Sequence, residues 1–179
     1  MANESRDLSS TDPEAYVAKM RGLVGKRDRI GILSETAEVL AGIVREHSVE
    51  QMRARPFEGK WTPNEILGHL CDAEWVFGYR MRAVLCEDEP QILAMDHERW
   101  VSGQGHNERE PAELVEAFRH LREANLSLWR RMTPADLRRR GLHNERGAES
   151  LDKILLMKAG HDLSHIDQIR RYLAAGAKD

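Results

Sequence analysis

The stretch Trp61-Thr62-Pro63-Asn64-Glu65-Ile66 constrains the fold more than any other, because four independent signals of a helix start coincide there. Thr62 is a capping residue, Pro63 suits the first helical position, Glu65 is the third residue of a capping box, and Trp61 with Ile66 matches a hydrophobic staple. The apolar row Ile66, Leu70, Ala73, Phe77, Met81 and Val84 then carries a helix to about Cys86. His69 stands beside that row. Some ninety residues on, Gly160-His161-Asp162-Leu163-Ser164-His165-Ile166 places two histidines four apart, on one helix face and one turn from each other. Three imidazoles from two helices can meet in a bundle core and hold one metal ion.

The remaining apolar periods are helical too. Asp12-Pro13-Glu14 starts a short helix through Val17, Met20 and Val24, broken around Gly22 and Gly25. A first long helix runs from about Lys26 to His47 on Ile30, Leu33, Ala37, Leu40 and Val44, with a break possible near Ser34–Thr36. Ser48-Val49-Glu50-Gln51 is a capping-box pattern. Pro111 opens a third long helix on Leu114, Phe118, Leu121, Asn125, Leu128 and Met132, where Asn125 holds a core position and needs partners. Thr133-Pro134 starts a short helix, Gly141–Glu149 reads as a polar loop, and a last long helix spans Ser150 to Gly176. Residues 87–110 have no period, yet Ile92, Leu93, Met95 and Trp100 are too apolar for a disordered linker. An ordered crossover at the end of the bundle lets the second and third long helices run parallel. The expected fold is all-α: a four-helix bundle over 26–176, preceded by a segment over 1–25 and followed by a tail over 177–179.

Composition excludes several classes. A formal charge of −3 gives no reason to expect nucleic acid, and the run Arg138-Arg139-Arg140 is flanked by acids, as a solvated helix end is. No stretch approaches the ~18 consecutive apolar residues of a membrane span. The N-terminus shows no apolar run after a basic start, so no signal peptide is expected. Two cysteines, Cys71 and Cys86, cannot build a disulfide framework, and a reduced, cytoplasmic protein with Cys71 near the core is the expectation.

The histidines have two readings. With eight in the chain, one pair spaced by four can arise by chance, and buried histidines are common. Against this, His69, His161 and His165 all fall on core-facing surfaces, where an unpaired imidazole is costly. Glu65, Asp72, Asp162 and Ser164 stand beside them as groups able to orient ligand rings. His47 ends a helix, His120 lies off its apolar row, and His143 falls in a polar loop. His97 and His106 are in the crossover and within possible reach of a site.

Trp61-Thr62-Pro63-Asn64-Glu65-Ile66-Leu67-Gly68-His69-Leu70, taken with His161-Asp162-Leu163-Ser164-His165-Ile166-Asp167-Gln168-Ile169, resembles the DinB superfamily over most of the chain. The segment Asp96-His97-Glu98-Arg99-Trp100 shares in it. The resemblance implies an up-down-down-up bundle, a divalent metal on His69, His161 and His165, and frequent dimerisation. Some members are S-transferases or isomerases using a low-molecular-weight thiol, so the family implies a site more than a substrate.

Three neutral imidazoles leave positions open on zinc, nickel or ferrous iron, the pattern of a catalytic site. Two chemistries compete: transfer by a thiol cofactor onto a small electrophile, and hydrolysis by activated water. The resemblance tilts the reading to the thiol-dependent S-transferase. A non-catalytic bundle that uses metal for stability is the contrasting class. Asp96 and His97 are the catalytic candidates, with Trp100 anchoring the crossover as a wall of the site. A homodimer is expected through Trp75 or Trp129, with a small molecule as substrate and no nucleic acid or membrane as partner.

Overall fold

The computed structural model describes residues 12–176, so the N-terminal eleven residues and the 177–179 tail lie outside the described residues. Eight α-helices and a small sheet follow one another: α1 (Pro13–Val24), α2 (Arg29–Glu46), α3 (Val49–Arg53), α4 (Pro63–Cys86), β1 (Gln91–Ile92), α5 (His97–Gly103), a 3₁₀ turn (His106–Glu108), α6 (Pro111–Trp129), α7 (Pro134–Leu137), β2 (Arg140–His143), β3 (Gly147–Ser150) and α8 (Leu151–Gly176). Both halves of the capping boxes at Ser48, Thr62 and Thr133 form. Asp12 and Asp28 cap α1 and α2 through their carboxylates. The expected break near Ser34–Thr36 is absent. Both hydroxyls bond back to carbonyls four residues earlier, Ser34 to Ile30 and Thr36 to Ile32, within an unbroken helix.

The long helices α2, α4, α6 and α8 form a bundle in which α4 and α2 each pack against both α6 and α8. Two apolar clusters fill it. One gathers Leu40, Ile66, Leu70, Phe118 and Ile166; the other gathers Leu33, Met81, Leu126, Trp129 and Ile154. Following each helix between the clusters gives its direction. From α4 to α6 the order of clusters is the same, whereas α2 and α8 meet them in the reverse order, which is the up-down-down-up arrangement. The crossover between α4 and α6 makes the parallel pair possible.

Between the clusters lies a layer that the apolar rows did not announce. Glu74, Arg122, Lys158 and Asp162 are all buried there, with Thr36 and Asn125 at its edges. Lys158 Nζ reaches Glu74 Oε1 at 2.8 Å and Asp162 Oδ1 at 2.7 Å, and one Arg122 nitrogen reaches Glu74 and Asp162 at 2.6 Å each. Burial works against the charge on Glu74, but Lys158 and Arg122 outweigh it and hold the carboxyl down at about 2. Asn125 has the structural role expected of a core amide, donating to Glu74 Oε2 at 2.9 Å and accepting from Arg82 at 2.7 Å.

Three expectations need correction. The polar loop over 141–149 is a hairpin: β2 pairs antiparallel with β3, and β1 of the crossover adds in parallel to β2. Its connection is 144–146, followed by Gly147 at φ +70°, a conformation glycine adopts without strain. His143 is therefore buried, and burial first, with Arg146 and Arg80 next, pushes its pKa down to about 4. Trp129 is core and not surface, because α6 turns Arg122, Leu126 and Trp129 inward along with Asn125, leaving Leu121 and Leu128 partly buried. Helix α1 continues through Gly22 to Val24 and packs along α8, where a side chain at Gly160 would meet Met20 Cβ at 2.7 Å. Arg139 of the basic run also has a partner, donating to Val84 O and Glu87 O at the C-terminus of α4. Among the described residues, no helix is long and apolar enough to cross a membrane.

Candidate metal centre

Helices α4 and α8 are antiparallel neighbours, and His69 and His161 meet between them with their Nε2 atoms 3.0 Å apart. Both rings are buried, at 2% and 5% exposure, whereas His165, one turn further along α8, is half-buried. One ring nitrogen from each of the three histidines lies within 4.8 Å of the other two. Their ring centroids stand 4.4–5.0 Å apart.

Electrostatics keep these rings neutral. Burial is the main cause for all three, and neighbouring imidazoles add to it for His69 and His165, so both are pushed well below the usual histidine value. His161 is also lowered, against the pull of Asp162. That carboxylate is committed elsewhere: its Oδ1 is 3.9 Å from His161 Nδ1, too far for a hydrogen bond, and its bonds go to Arg122 and Lys158. His69 Nδ1 and His161 Nδ1 are buried and have no hydrogen-bond partner among the described residues. His165 Nδ1 has one, Gln168 Oε1 at 2.9 Å.

This donor set fits a divalent ion. Neutral imidazole is the ligand form, and burial enforces it here. The 3.0 Å Nε2 pair brings two ring nitrogens close enough to face one shared ion. Among the described residues, no carboxylate joins the three rings.

Aromatic groups surround the cluster. Trp61 lies 5.0 Å from His69 between ring centroids, and Phe77 lies 6.0 Å from His161. The crossover supplies a fourth imidazole: His97, half-buried in the first turn of α5, stands 5.0 Å from His69 in an edge-on contact. Glu98 beside it accepts from Trp61 Nε1 at 3.1 Å, tying α5 to the start of α4. Asp96 has a different position. It is exposed and caps α5, accepting from Arg99 N at 3.1 Å. Trp100 is 41% exposed and so does not plug the core.

The acids read as flanking the histidines are spent on structure. Glu65 completes the Thr62 box and pairs with Arg55. Asp72 binds His106 Nε2 and Gln104 Nε2, each at 2.9 Å, fastening the crossover to α4. Sequence reasoning gave no role to Gln168, although its place three residues after His165 on a helix was a usable signal.

A helical bundle with three convergent neutral imidazoles under an aromatic rim defines a class of metal-site bundles. The DinB superfamily model matches residues 32–169, and the chain belongs to that superfamily. Among its relatives are two provisionally named metal-dependent hydrolases. The one from Oceanobacillus iheyensis is 26% identical, covering 78% of this chain and 81% of the relative; the one from Bacillus licheniformis is 25% identical, covering 80% and 82%. YfiT from Bacillus subtilis, provisionally described as a metal-dependent hydrolase with an unusual four-helix bundle topology, shares the fold at a TM-score of 0.73. It is 21% identical, with 82% of this chain and 86% of YfiT covered.

Proposed function

We propose that His69, His161 and His165 hold one divalent ion, zinc, nickel or ferrous iron, and that the protein is a metal-dependent hydrolase of small molecules. The observation that carries this reading is the convergence of three ring nitrogens within 4.8 Å from two helices, with no carboxylate among them. The names of the relatives favour hydrolysis over the other chemistries open to such a site.

A bound divalent ion would supply Lewis acidity, lowering the pKa of a water and polarising a carbonyl. The chain supplies the rest. His97 at the rim takes a proton from the attacking water and returns it to the leaving group. Trp61 against His69 and Phe77 against His161 shield the rings from bulk water, and Asp96 keeps α5 in place as its cap. Transfer of a low-molecular-weight thiol is the second reading. Three uncharged ligands leave the ion's charge uncompensated, which favours an anionic thiolate beside it. We place the protein in the cytoplasm, as one domain over 26–176. A homodimer would form through the α4 face that exposes Trp75 and Tyr79.

Elemental analysis of tag-free protein tests the site. One equivalent of metal is expected, and none after His69, His161 and His165 are all changed to Ala; one equivalent retained by the triple variant refutes it. Assays of esters and amides, with and without added thiol, then separate the hydrolase, the transferase and the non-catalytic bundle.

A further inference from the structure

We propose that Gln168 is the positioning residue of His165: its amide oxygen accepts a hydrogen bond from Nδ1–H of His165 and thereby directs the Nε2 lone pair into the centre. This rests on the three-histidine reading above and assigns a function within it to a residue outside the ligand set.

The three rings are not held alike. His69 and His161 are immobilised by burial on every side, and neither needs a hydrogen bond to stay in place. His165 is the partly exposed member of the three, less enclosed than His69 and His161. It is also the one whose Nδ1 has a partner, Gln168 Oε1 at 2.9 Å. An amide oxygen only accepts, so Nδ1 carries the hydrogen and Nε2 keeps its lone pair. The reversed amide would offer N–H to Nδ1 and force the hydrogen onto Nε2, which cannot then bind an ion.

Gln168 is itself anchored. Its Nε2 donates to Tyr172 Oη at 3.1 Å, and the Tyr172 ring meets Phe57 edge-on at 5.2 Å. His165, Gln168 and Tyr172 are spaced three and four apart along α8, which lines them up on one face. The chain of contacts runs from the centre to the segment ahead of α4. A surface hydrogen bond of no consequence to the centre would steady the helix slightly and leave the ring's tautomer and zinc affinity unchanged. The two roles differ in what they do to the ring of His165.

The test uses the full-length, tag-free chain with Gln168→Glu and Gln168→Met. Two quantities are read: zinc affinity by competition with a chromophoric chelator, and the protonated nitrogen of His165 by long-range ¹H–¹⁵N spectra of metal-free protein. Gln168→Glu keeps the acceptor and is expected to keep both the Nδ1–H form and zinc affinity. Gln168→Met keeps the length, loses the acceptor, and is expected to lose the Nδ1–H form and weaken zinc about 10- to 100-fold. Unchanged affinity and tautomer in Gln168→Met would overturn the assignment, as would equal losses in Gln168→Glu. If Gln168→Met does not fold, Gln168→Asn gives the same comparison by shortening the reach. His165→Ala separates the failures: zinc retained there refutes the three-histidine site itself, whereas zinc lost there but kept in Gln168→Met refutes only the role of Gln168.

Discussion

His69 Nε2 and His161 Nε2 face each other at 3.0 Å across 92 residues of sequence, so α4 and α8 are joined at the candidate centre. An ion bound there links the two helices in the folded state and has no comparable site in the unfolded chain. Such a ligand stabilises by mass action, ~2.7 kcal/mol at a hundred times its Kd. Zinc is therefore expected to raise the Tm of the metal-free protein measurably, and His69→Ala should abolish the rise. Melting curves with and without zinc check this.

Occupancy should depend on pH with a definite sign. Burial pushes His69, His161 and His165 below the usual histidine value, and the neutral form is the ligand. Proton competition therefore begins lower than the ~6.5 of a free imidazole. At fixed free zinc, occupancy should stay level through about pH 6.5 and fall only below it. The same lowering contributes stability in full above the unfolded value and loses it as pH falls toward the folded ones. Occupancy half lost already at pH 7 would contradict this, and occupancy unchanged down to pH 4 would point to carboxylate ligands.

Local chemistry was legible and remote chemistry was not. Thr62, Pro63 and Glu65 set a helix start within four residues, and the structure forms both halves of that box. The spacing of Leu114 and Phe118 likewise located α6, and Asn125 was found as a core position, but Arg122, Leu126 and Trp129 of the inner face were missed. Arg122 had no place in the apolar row, because its burial depends on Glu74 and Asp162, 48 and 40 residues away. The hairpin was hidden because its strands have only four residues each and read as polar. His69, His161 and His165 were found as core-facing positions; that His97 stands against His69 depends on the path of the crossover, which no period encodes.

The buried ionic layer predicts a large effect of one substitution. Arg122→Met removes one of the two cations that Glu74 and Asp162 share and also the side-chain donor to Leu33 O. Breaking a buried pair on one side typically costs 3–5 kcal/mol, on the order of a third or more of a small domain's stability. Urea denaturation should show a loss in that range. A change below ~1 kcal/mol would mean that Lys158 alone compensates both carboxylates.

Gly68 gives a steric test of the crossover. A side chain there would meet His106 Cγ at 2.2 Å, and His106 is held against α4 by Asp72. Gly68→Ala must therefore displace His106 and loosen residues 104–109 from α4, despite the better helix propensity of Ala. Faster hydrogen exchange confined to the crossover is expected, with the α2–α6 contact unaffected. Unchanged exchange would show that His106 can turn aside at no cost.

The last prediction separates the two neighbours on α5. Asp96 caps the helix from the surface, accepting from Arg99 N, and an exposed cap of this kind is worth ~1 kcal/mol. His97, one residue on, is half-buried with its ring against His69. If His97 moves the proton of the reaction, His97→Gln should leave zinc affinity and melting within error. It should lower kcat by ~10²–10⁴-fold, the usual contribution of a positioned acid or base, with little change in KM. Asp96→Ala should do the reverse, lowering stability by about the value of the cap while kcat falls only as far as α5 frays. Steady-state kinetics on whichever ester or amide the wild type hydrolyses, beside urea denaturation of both variants, gives the comparison. A kcat unchanged in His97→Gln would remove His97 from the chemistry. A kcat lost in Asp96→Ala with stability unchanged would transfer the role to its carboxylate.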